Sequence, residues 1–436
     1  MQDTAEMPDP ASFVFATCQI GAEQALKREI AREWPDLRFA FSRSGFLTFK
    51  IPPATELPGD FGSKLAFARA TGFCLGAVSG SSEIERADSV WRLIGERPVS
   101  DIHVWPRDRF TPGFRDYEPG MTGESIEIEN LIRAQAASHG RNLSPSSNLQ
   151  FAICNLQSFP ESKRAGSSVI SRQDPPCPPL RRGGEVDLIA DVIIVTPDEW
   201  WVGYHRVHSI PSSWPGGFCA IELPPGAVSR AWLKMCEAVL WSGFRLKAGQ
   251  RCLEIGAAPG GASQYLLSCG LDVIGVDPAE MDPAVIGNPN FRHIRKRAKE
   301  VPRKEFVGVD WLTSDVNLPP NYTLDAVKAI VQHSGVRLIG MLLTLKLVDW
   351  SLADEVPKYL ERIRSWGFRE VRARQLHHNR QEICVAASGF KIPGAKPLHA
   401  AGGRFRRGTK SSRKDAKTQR RRDAAIERMT KKTKDR

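Results

Sequence analysis

Apolar and polar positions change period repeatedly along this chain, and the changes divide it into short strands and helices. Residues 13–17 read as a strand and 45–51 as another. Between them 21–34 reads as a helix, with Ala22, Leu26, Ile30 and Trp34 lining one face. The stretch 65–75 predicts a short helix running towards a further strand. A helix near 87–94, a strand at 102–105 and a helix near 126–137 follow. From about 138 to 185 Pro, Gly and Ser dominate, as in Asp174-Pro-Pro-Cys-Pro-Pro-Leu-Arg-Arg-Gly-Gly184, and the segment reads as loop. Two strands, 188–195 and 200–204, are joined by the turn Thr196-Pro-Asp-Glu199. This first half has a small α+β layout, with no catalytic constellation in it.

The second half alternates strand and helix more regularly. After a Pro/Gly-rich link at 211–226, a helix over 229–241 has Ser229 as its expected N-cap. Strand, Gly-rich turn, helix and strand fill 251–277, with Asp277 closing the second strand. An apolar strand over 306–315 ends in Asp315, a helix covers 324–333, and a strand over 338–345 leads into Lys346. An amphipathic helix at 354–366 carries Val356, Leu360 and Ile363, and strands at 369–376 and 382–387 close the chain as an antiparallel pair. The pattern predicts an α/β fold with a mostly parallel, Rossmann-like sheet and helices on both faces, preceded by an α+β region. Ligands in such sheets bind beyond the carboxyl ends of the strands.

Charge changes the picture at one end. Residues 391–436 hold 17 Lys and Arg against 4 Asp and Glu, and the whole chain is +12, so residues 1–390 are near neutral. The tail is too polar to fold alone, and its segregated charge suits an arm along a polyphosphate backbone rather than a merely solubilising end. Nine cysteines are scattered without a Cys-x-x-Cys pair, which argues against a zinc site and a disulfide framework and suits a reducing cytoplasm. No apolar run is long enough to span a membrane, and the N-terminus lacks the layout of a signal peptide.

The candidate chemistry sits around the Gly-rich turn Gly256-Ala-Ala-Pro-Gly-Gly261. A dinucleotide fingerprint needs Gly where Ala258 stands, and Pro259 removes a backbone donor that a pyrophosphate would use. An uncharged nucleoside end is not affected, and Asp277 can accept hydrogen bonds from its ribose diol. S-adenosylmethionine has that character, which favours it over NAD. Asp315 and Lys346 end strands facing the same crevice and form either a proton-transfer pair or a structural ion pair. Lysine is a weak base unless burial or a second cation, such as Lys234, lowers its pKa. A lysine so tuned could deprotonate a hydroxyl attacking a methyl sulfonium, a reaction that needs no metal.

Glu254-Ile-Gly-Ala-Ala-Pro-Gly-Gly261 resembles the first motif of the FtsJ-like S-adenosylmethionine-dependent ribose 2′-O-methyltransferases. Ser229-Arg-Ala-Trp-Leu-Lys234, Thr344-Leu-Lys-Leu347 and Ala373-Arg-Gln-Leu-His-His-Asn-Arg-Gln-Glu382 resemble the blocks of the RlmM-type enzymes, which act on a cytidine of 23S rRNA. The resemblance covers 225–387 and is weaker at 11–80 and around Trp200–Tyr204. It implies a Lys-Asp-Lys-Glu catalytic set at Lys234, Asp315, Lys346 and Glu382, with Lys346 as base. Implied cofactor contacts are Ser229, Glu254, Gly256, Ala258, Pro259, Gly260, Gly261, Asp277 and Asp315. It further implies an N-terminal subdomain at 11–80, a THUMP-like RNA-binding region at 81–210, a methyltransferase domain at 225–390 and a basic tail at 391–436. The partner would be 23S rRNA or a ribosome precursor, with neither membrane nor metal. One departure stands out: Arg297 occupies the place where the family carries an acid near the adenine. The rival readings are a NAD-dependent oxidoreductase and a non-catalytic RNA-binding protein on a methyltransferase scaffold.

Overall fold

The computed structural model describes residues 11–143 and 188–390. The Pro-rich loop is therefore described only up to residue 143, and the basic tail lies outside the described residues. Fourteen strands among the described residues form two seven-stranded sheets.

The first sheet runs β2-β3-β1-β4-β7-β6-β5. It contains β1 (Phe13–Thr17), β2 (Arg38–Arg43), β3 (Phe46–Lys50), β4 (Ala70–Val78), β5 (Asp101–Pro106), β6 (Leu188–Thr196) and β7 (Glu199–Arg206). Helix α1 (Glu23–Glu33) buries Leu26 and Ile30, while α2 (Glu83–Ile94) and α3 (Gly123–Gln135) pack with β5. Because β4 pairs with both β1 and β7, strands on either side of residue 80 share one continuous sheet.

The expected helix over 65–75 does not form. Glu29 of α1 instead accepts hydrogen bonds from the backbone N–H groups of Ala66 (2.7 Å) and Phe67 (3.0 Å), holding that segment in a bend. The chain then enters β4, where a Cβ on Gly72 would lie 2.6 Å from the Phe15 ring. Tertiary pairing overrides the helical propensity of the Ala-rich stretch. Two strands were not expected, β2 and β10 (Phe291–Ile294); both are sheet edges with mixed polarity.

The second sheet runs β10-β9-β8-β11-β12-β14-β13. It comprises β8 (Arg251–Ile255), β9 (Asp272–Val276), β10, β11 (Trp311–Asp315), β12 (Gly340–Lys346), β13 (Glu370–Arg374) and β14 (Glu382–Ser388). Strands β8 to β12 pair in parallel, and β14 inserts antiparallel between β12 and β13. The predicted antiparallel closing pair is therefore present. Helices α4 (Ala231–Ser242) and α5 (Gly261–Ser268) pack on one face. Helices α7 (Pro320–Val331) and α8 (Val356–Arg364) cover the other, and the short α6 (Pro283–Ile286) follows β9. Strand order reverses between β8 and β11, which opens a crevice at their carboxyl ends.

One apolar core includes Val14, Leu26 and Phe67 from the first region and Leu253, Leu343 and Trp366 from the second. Polar contacts add to it, with Gln375 N–H donating to the Ala66 carbonyl at 2.6 Å. No helix among the described residues is long and apolar enough to cross a membrane.

Candidate active site

Four strand or helix positions converge on the crevice. Asp315 is the last residue of β11 and Lys346 the last of β12. Glu382 is the first residue of β14, and because that strand runs antiparallel its start lies at the same end of the sheet. Lys234 comes from the first turn of α4. Lys234 Nζ lies 3.2 Å from Asp315 Oδ2 and 2.5 Å from Glu382 Oε1. Lys346 Nζ lies 2.9 Å from Asp315 Oδ1 and also pairs with Glu382 Oε2. The result is a ring of alternating charge: two ammonium groups, each touching both carboxylates. Asn379 donates to Glu382 Oε1 at 3.2 Å and holds that carboxylate from behind.

Burial by itself would raise the Asp315 pKa, but Lys234 and Lys346 outweigh it and hold the carboxyl below its usual range. Burial likewise would lower Lys346, but Asp315 and Glu382 outweigh it and raise the ammonium above its usual value. The sequence-based idea that a second cation would depress Lys346 is thus corrected. Lys234 is nearby, but carboxylates stand between the two charges. Lys346 rests as an ammonium.

The nucleotide turn lies beside this ring. Gly256 has φ +80°, and a Cβ there would meet the Asp315 carbonyl oxygen at 2.7 Å, so the turn lies against the Asp315 backbone. A Cβ on Gly261 would come within 2.2 Å of Ser229 Oγ. Ser229 is therefore seated against the start of α5, although the helix α4 itself begins one residue later than expected, with Arg230 at the N-cap. Gly260 packs on Val285 of α6. Half-buried Asp277 receives hydrogen bonds from Ala258 N–H (3.2 Å) and Ala279 N–H (2.8 Å), which orient its carboxylate at the mouth of the turn. Pro259 is exposed.

Glu254 stands apart from the other expected contacts. It is buried within β8 and accepts a hydrogen bond from Ser263 of α5. Burial pushes its pKa up to about 8, so it supports the turn from inside as a neutral acid. Arg297 is exposed and precedes a one-turn 3₁₀ segment (Ala298–Glu300), its backbone N–H donating to Glu300 at 3.3 Å. No acid replaces it at that position.

Sequence reasoning missed the support behind Glu382. Glu237, on the buried side of α4, accepts hydrogen bonds from the backbone N–H groups of His377 (2.7 Å) and His378 (2.9 Å). Burial pushes its pKa up to about 7 and drives that of His378 down to about 3. The only signal was a carboxylate in an otherwise apolar helix, three residues after Lys234. Sequence reading also missed a buried trio, His103, Asp191 and His205, whose ligand atoms lie within 4.8 Å of one another. His205 Nδ1 meets Asp191 at 2.7 Å and Nε2 meets the Ser212 carbonyl at 2.7 Å, an arrangement suited to a buried imidazolium–carboxylate pair.

Residues 227–355 match the family described as FtsJ-like methyltransferase. This part of the chain is an FtsJ-like methyltransferase domain. The chain is also similar to proteins named ribosomal RNA large subunit methyltransferase M. That from Halorhodospira halophila is 33% identical over 178 residues, covering 40% of this chain and 51% of the relative. That from Teredinibacter turnerae is 28% identical over 291 residues, covering 63% and 75%. The chain spans about half the length of most such relatives it matches. Among solved structures, TrmN from Thermus thermophilus covers 86% of this chain and 99% of its own at 14% identity, but with a TM-score of 0.29 the likeness bears no weight. The FtsJ-like domain contains Lys234, Asp315 and Lys346, and Glu382 lies beyond its matched end.

Proposed function

We propose that this chain transfers the methyl group of S-adenosylmethionine to a ribose 2′-hydroxyl of ribosomal RNA, with a cytidine of 23S rRNA or its precursor particle as substrate, in the bacterial cytoplasm. The observation that carries this reading is the closed ring of Lys234, Asp315, Lys346 and Glu382 beside the Gly-rich turn. The similarity to named rRNA methyltransferases supports the substrate class.

The residues present fit the cofactor. Asp277 offers a half-buried carboxylate for a ribose diol, and the turn from Gly256 to Gly261 lacks the backbone donor at Pro259 that a pyrophosphate would use. Ser229, Ala258, Gly260, Gly261 and Asp277 would hold it. When bound, S-adenosylmethionine supplies an electrophilic methyl on a sulfonium.

The rest is done by side chains. Neutral Lys346 would take the proton of the attacking 2′-hydroxyl as its oxygen bonds to the methyl carbon and the methyl–sulfur bond breaks, its electron pair leaving with sulfur as a neutral thioether and Lys346 ending as an ammonium. Asp315 and Glu382 stabilise that ammonium as it forms, as they do in the resting state, and Lys234 balances their charge. The cost is that Lys346 must shed its proton before each turnover. In this reading 225–390 carries the chemistry, 11–80 and the THUMP-like 81–210 bind RNA, and the basic tail 391–436 adds phosphate contacts. Incubating the full chain with labelled S-adenosylmethionine and unmodified 23S rRNA tests this. Ribose-methylated RNA is expected; binding of NAD without transfer of any methyl would sink it.

A further inference from the structure

Most exposed large apolar side chains stand singly, but Phe110 and Phe114 stand together on the loop between β5 and α3. Each is 48% exposed, and their ring centroids lie 5.7 Å apart at an interplanar angle of 38°. Tyr117 meets Phe110 edge-on at 5.7 Å, and its hydroxyl accepts a hydrogen bond from Arg109 N–H at 3.1 Å. The loop is closed by Gly113 N–H donating to the Tyr117 carbonyl at 2.7 Å. Arg115 (φ 49°) and Asp116 (φ 61°) both adopt left-handed backbone, rare for side-chain-bearing residues.

The loop's formal charges balance, Arg107, Arg109 and Arg115 against Asp108, Asp116 and Glu118, but one guanidinium stands against a ring. The Arg115 guanidinium lies 5.3 Å from the Phe114 ring centroid. Arg43 and Arg109 crowd Arg107, adding to the effect of its burial in lowering its pKa. Among the described residues neither Arg43 nor Arg115 forms an ion pair with a carboxylate.

The loop also leans on the reaction crevice. Glu118 pairs with Arg230, one turn before Lys234, at 2.8 Å, and with Arg380, two residues before Glu382, at 3.7 Å. His377 Nε2 meets the Pro119 carbonyl at 2.7 Å. A Cβ on Gly113 would lie 2.7 Å from the Arg380 guanidinium.

We propose that Phe110 and Phe114 are a stacking platform for unpaired RNA bases flanking the acceptor ribose, with Arg115 meeting an adjoining phosphate. This rests on the RNA reading above. A ribose drawn into a crevice leaves its neighbouring bases without their stacking partners, and aromatic faces replace them whatever the base. Paired rings with the unpaired Arg115 guanidinium beside them suit a single strand better than an apolar protein surface or a duplex.

The test is binding of the full chain, without cofactor, to a short single-stranded RNA of mixed sequence and to the same RNA as a duplex. Removing each ring, in Phe110→Ala and Phe114→Ala, should weaken single-strand binding roughly ten-fold while leaving the salt slope unchanged. Phe110→Trp and Phe114→Trp should retain the affinity, which separates stacking from misfolding, and Arg115→Gln should reduce the slope. If the double alanine variant binds single-stranded RNA as the unaltered chain does, the platform is wrong, and methylation of 23S rRNA by that variant in a separate assay with S-adenosylmethionine leaves the methyltransferase reading standing. Equal weakening on single strand and duplex also overturns it. If the unaltered chain binds no RNA, both readings fall.

Discussion

Lys346 and Glu382 are register partners: β12 and β14 pair antiparallel with these two residues opposite each other, and their charged groups meet at the strand ends where β11 delivers Asp315. The pair is thus set by the backbone hydrogen-bond ladder rather than by a loop. Its electrostatic effect runs against an ordinary general base, because both carboxylates favour the charged form of Lys346.

A pH dependence follows from that sign. Only the neutral amine accepts a proton, and Lys346 is held above its usual 10.5. The methyl-transfer rate under single-turnover conditions should therefore rise with pH across the neutral and mildly alkaline range, by roughly ten-fold per unit. Glu382→Gln removes one of the groups raising the pKa and should shift the profile to lower pH. A flat profile, or one unmoved by Glu382→Gln, would count against Lys346 as base.

The Gly256 position gives a second prediction. Its positive φ and the 2.7 Å approach to the Asp315 carbonyl leave no room for a side chain. Gly256→Ala should cost about 1–3 kcal/mol in stability and weaken S-adenosylmethionine binding measured by calorimetry. Unchanged affinity and melting temperature would show that the turn is looser than described.

Three buried acids set a stability profile. Burial raises Glu29 and Glu237 to about 7 and Glu254 to about 8, all from 4.5. A carboxyl whose folded pKa lies above its unfolded value stabilises most below the unfolded pKa, and loses that contribution as pH rises through the folded one. Below about pH 6.5 the buried histidines His377 and His378, held down to about 4 and 3, act in the opposite sense, so the decline in urea midpoints is expected between pH 6.5 and 8, each acid contributing on the order of a few kcal/mol. Glu254→Gln should flatten the upper part of that decline. Asp315 acts in the opposite sense, but only in acid, since its pKa lies below 3.8. A midpoint that rises towards pH 8 would contradict this assignment.

The tail offers a separable test. A chain ending at residue 390 loses 17 basic against 4 acidic residues. Its RNA affinity should fall and its dependence on salt should become shallower, while single-turnover chemistry at saturating RNA persists. An unchanged salt slope would mean that the tail makes no phosphate contact.

Much of this was readable from residues because the second half obeys local rules. Apolar runs ending in Asp277, Asp315 and Lys346 mark strands whose ends line a crevice, and a Gly-rich turn between them needs no tertiary information. Lys234 and Glu382 were different. A lysine on a helix and a glutamate opening a strand look ordinary until α4 packs on the sheet and β14 pairs with β12, so only the family resemblance flagged Glu382 and turned Lys234 from a neighbouring cation into a site residue. The 65–75 segment misled because its local propensity is helical while Glu29, far away in sequence, holds its start in a bend and the rest pairs as β4. Glu237 and the Phe110–Phe114 pair depend on packing and exposure, which a linear pattern does not encode.

The central claim is that Lys346 is the group that deprotonates the ribose. The most direct measurement is single-turnover methyl transfer to unmodified 23S rRNA, comparing the unaltered chain with Lys346→Ala and Lys346→Arg, alongside S-adenosylmethionine affinity. Both variants are predicted to lose transfer by several orders of magnitude while binding the cofactor normally, since arginine keeps the charge but does not give up its proton. Near-normal transfer by Lys346→Arg would contradict the account and leave Lys346 a structural partner of Asp315 and Glu382.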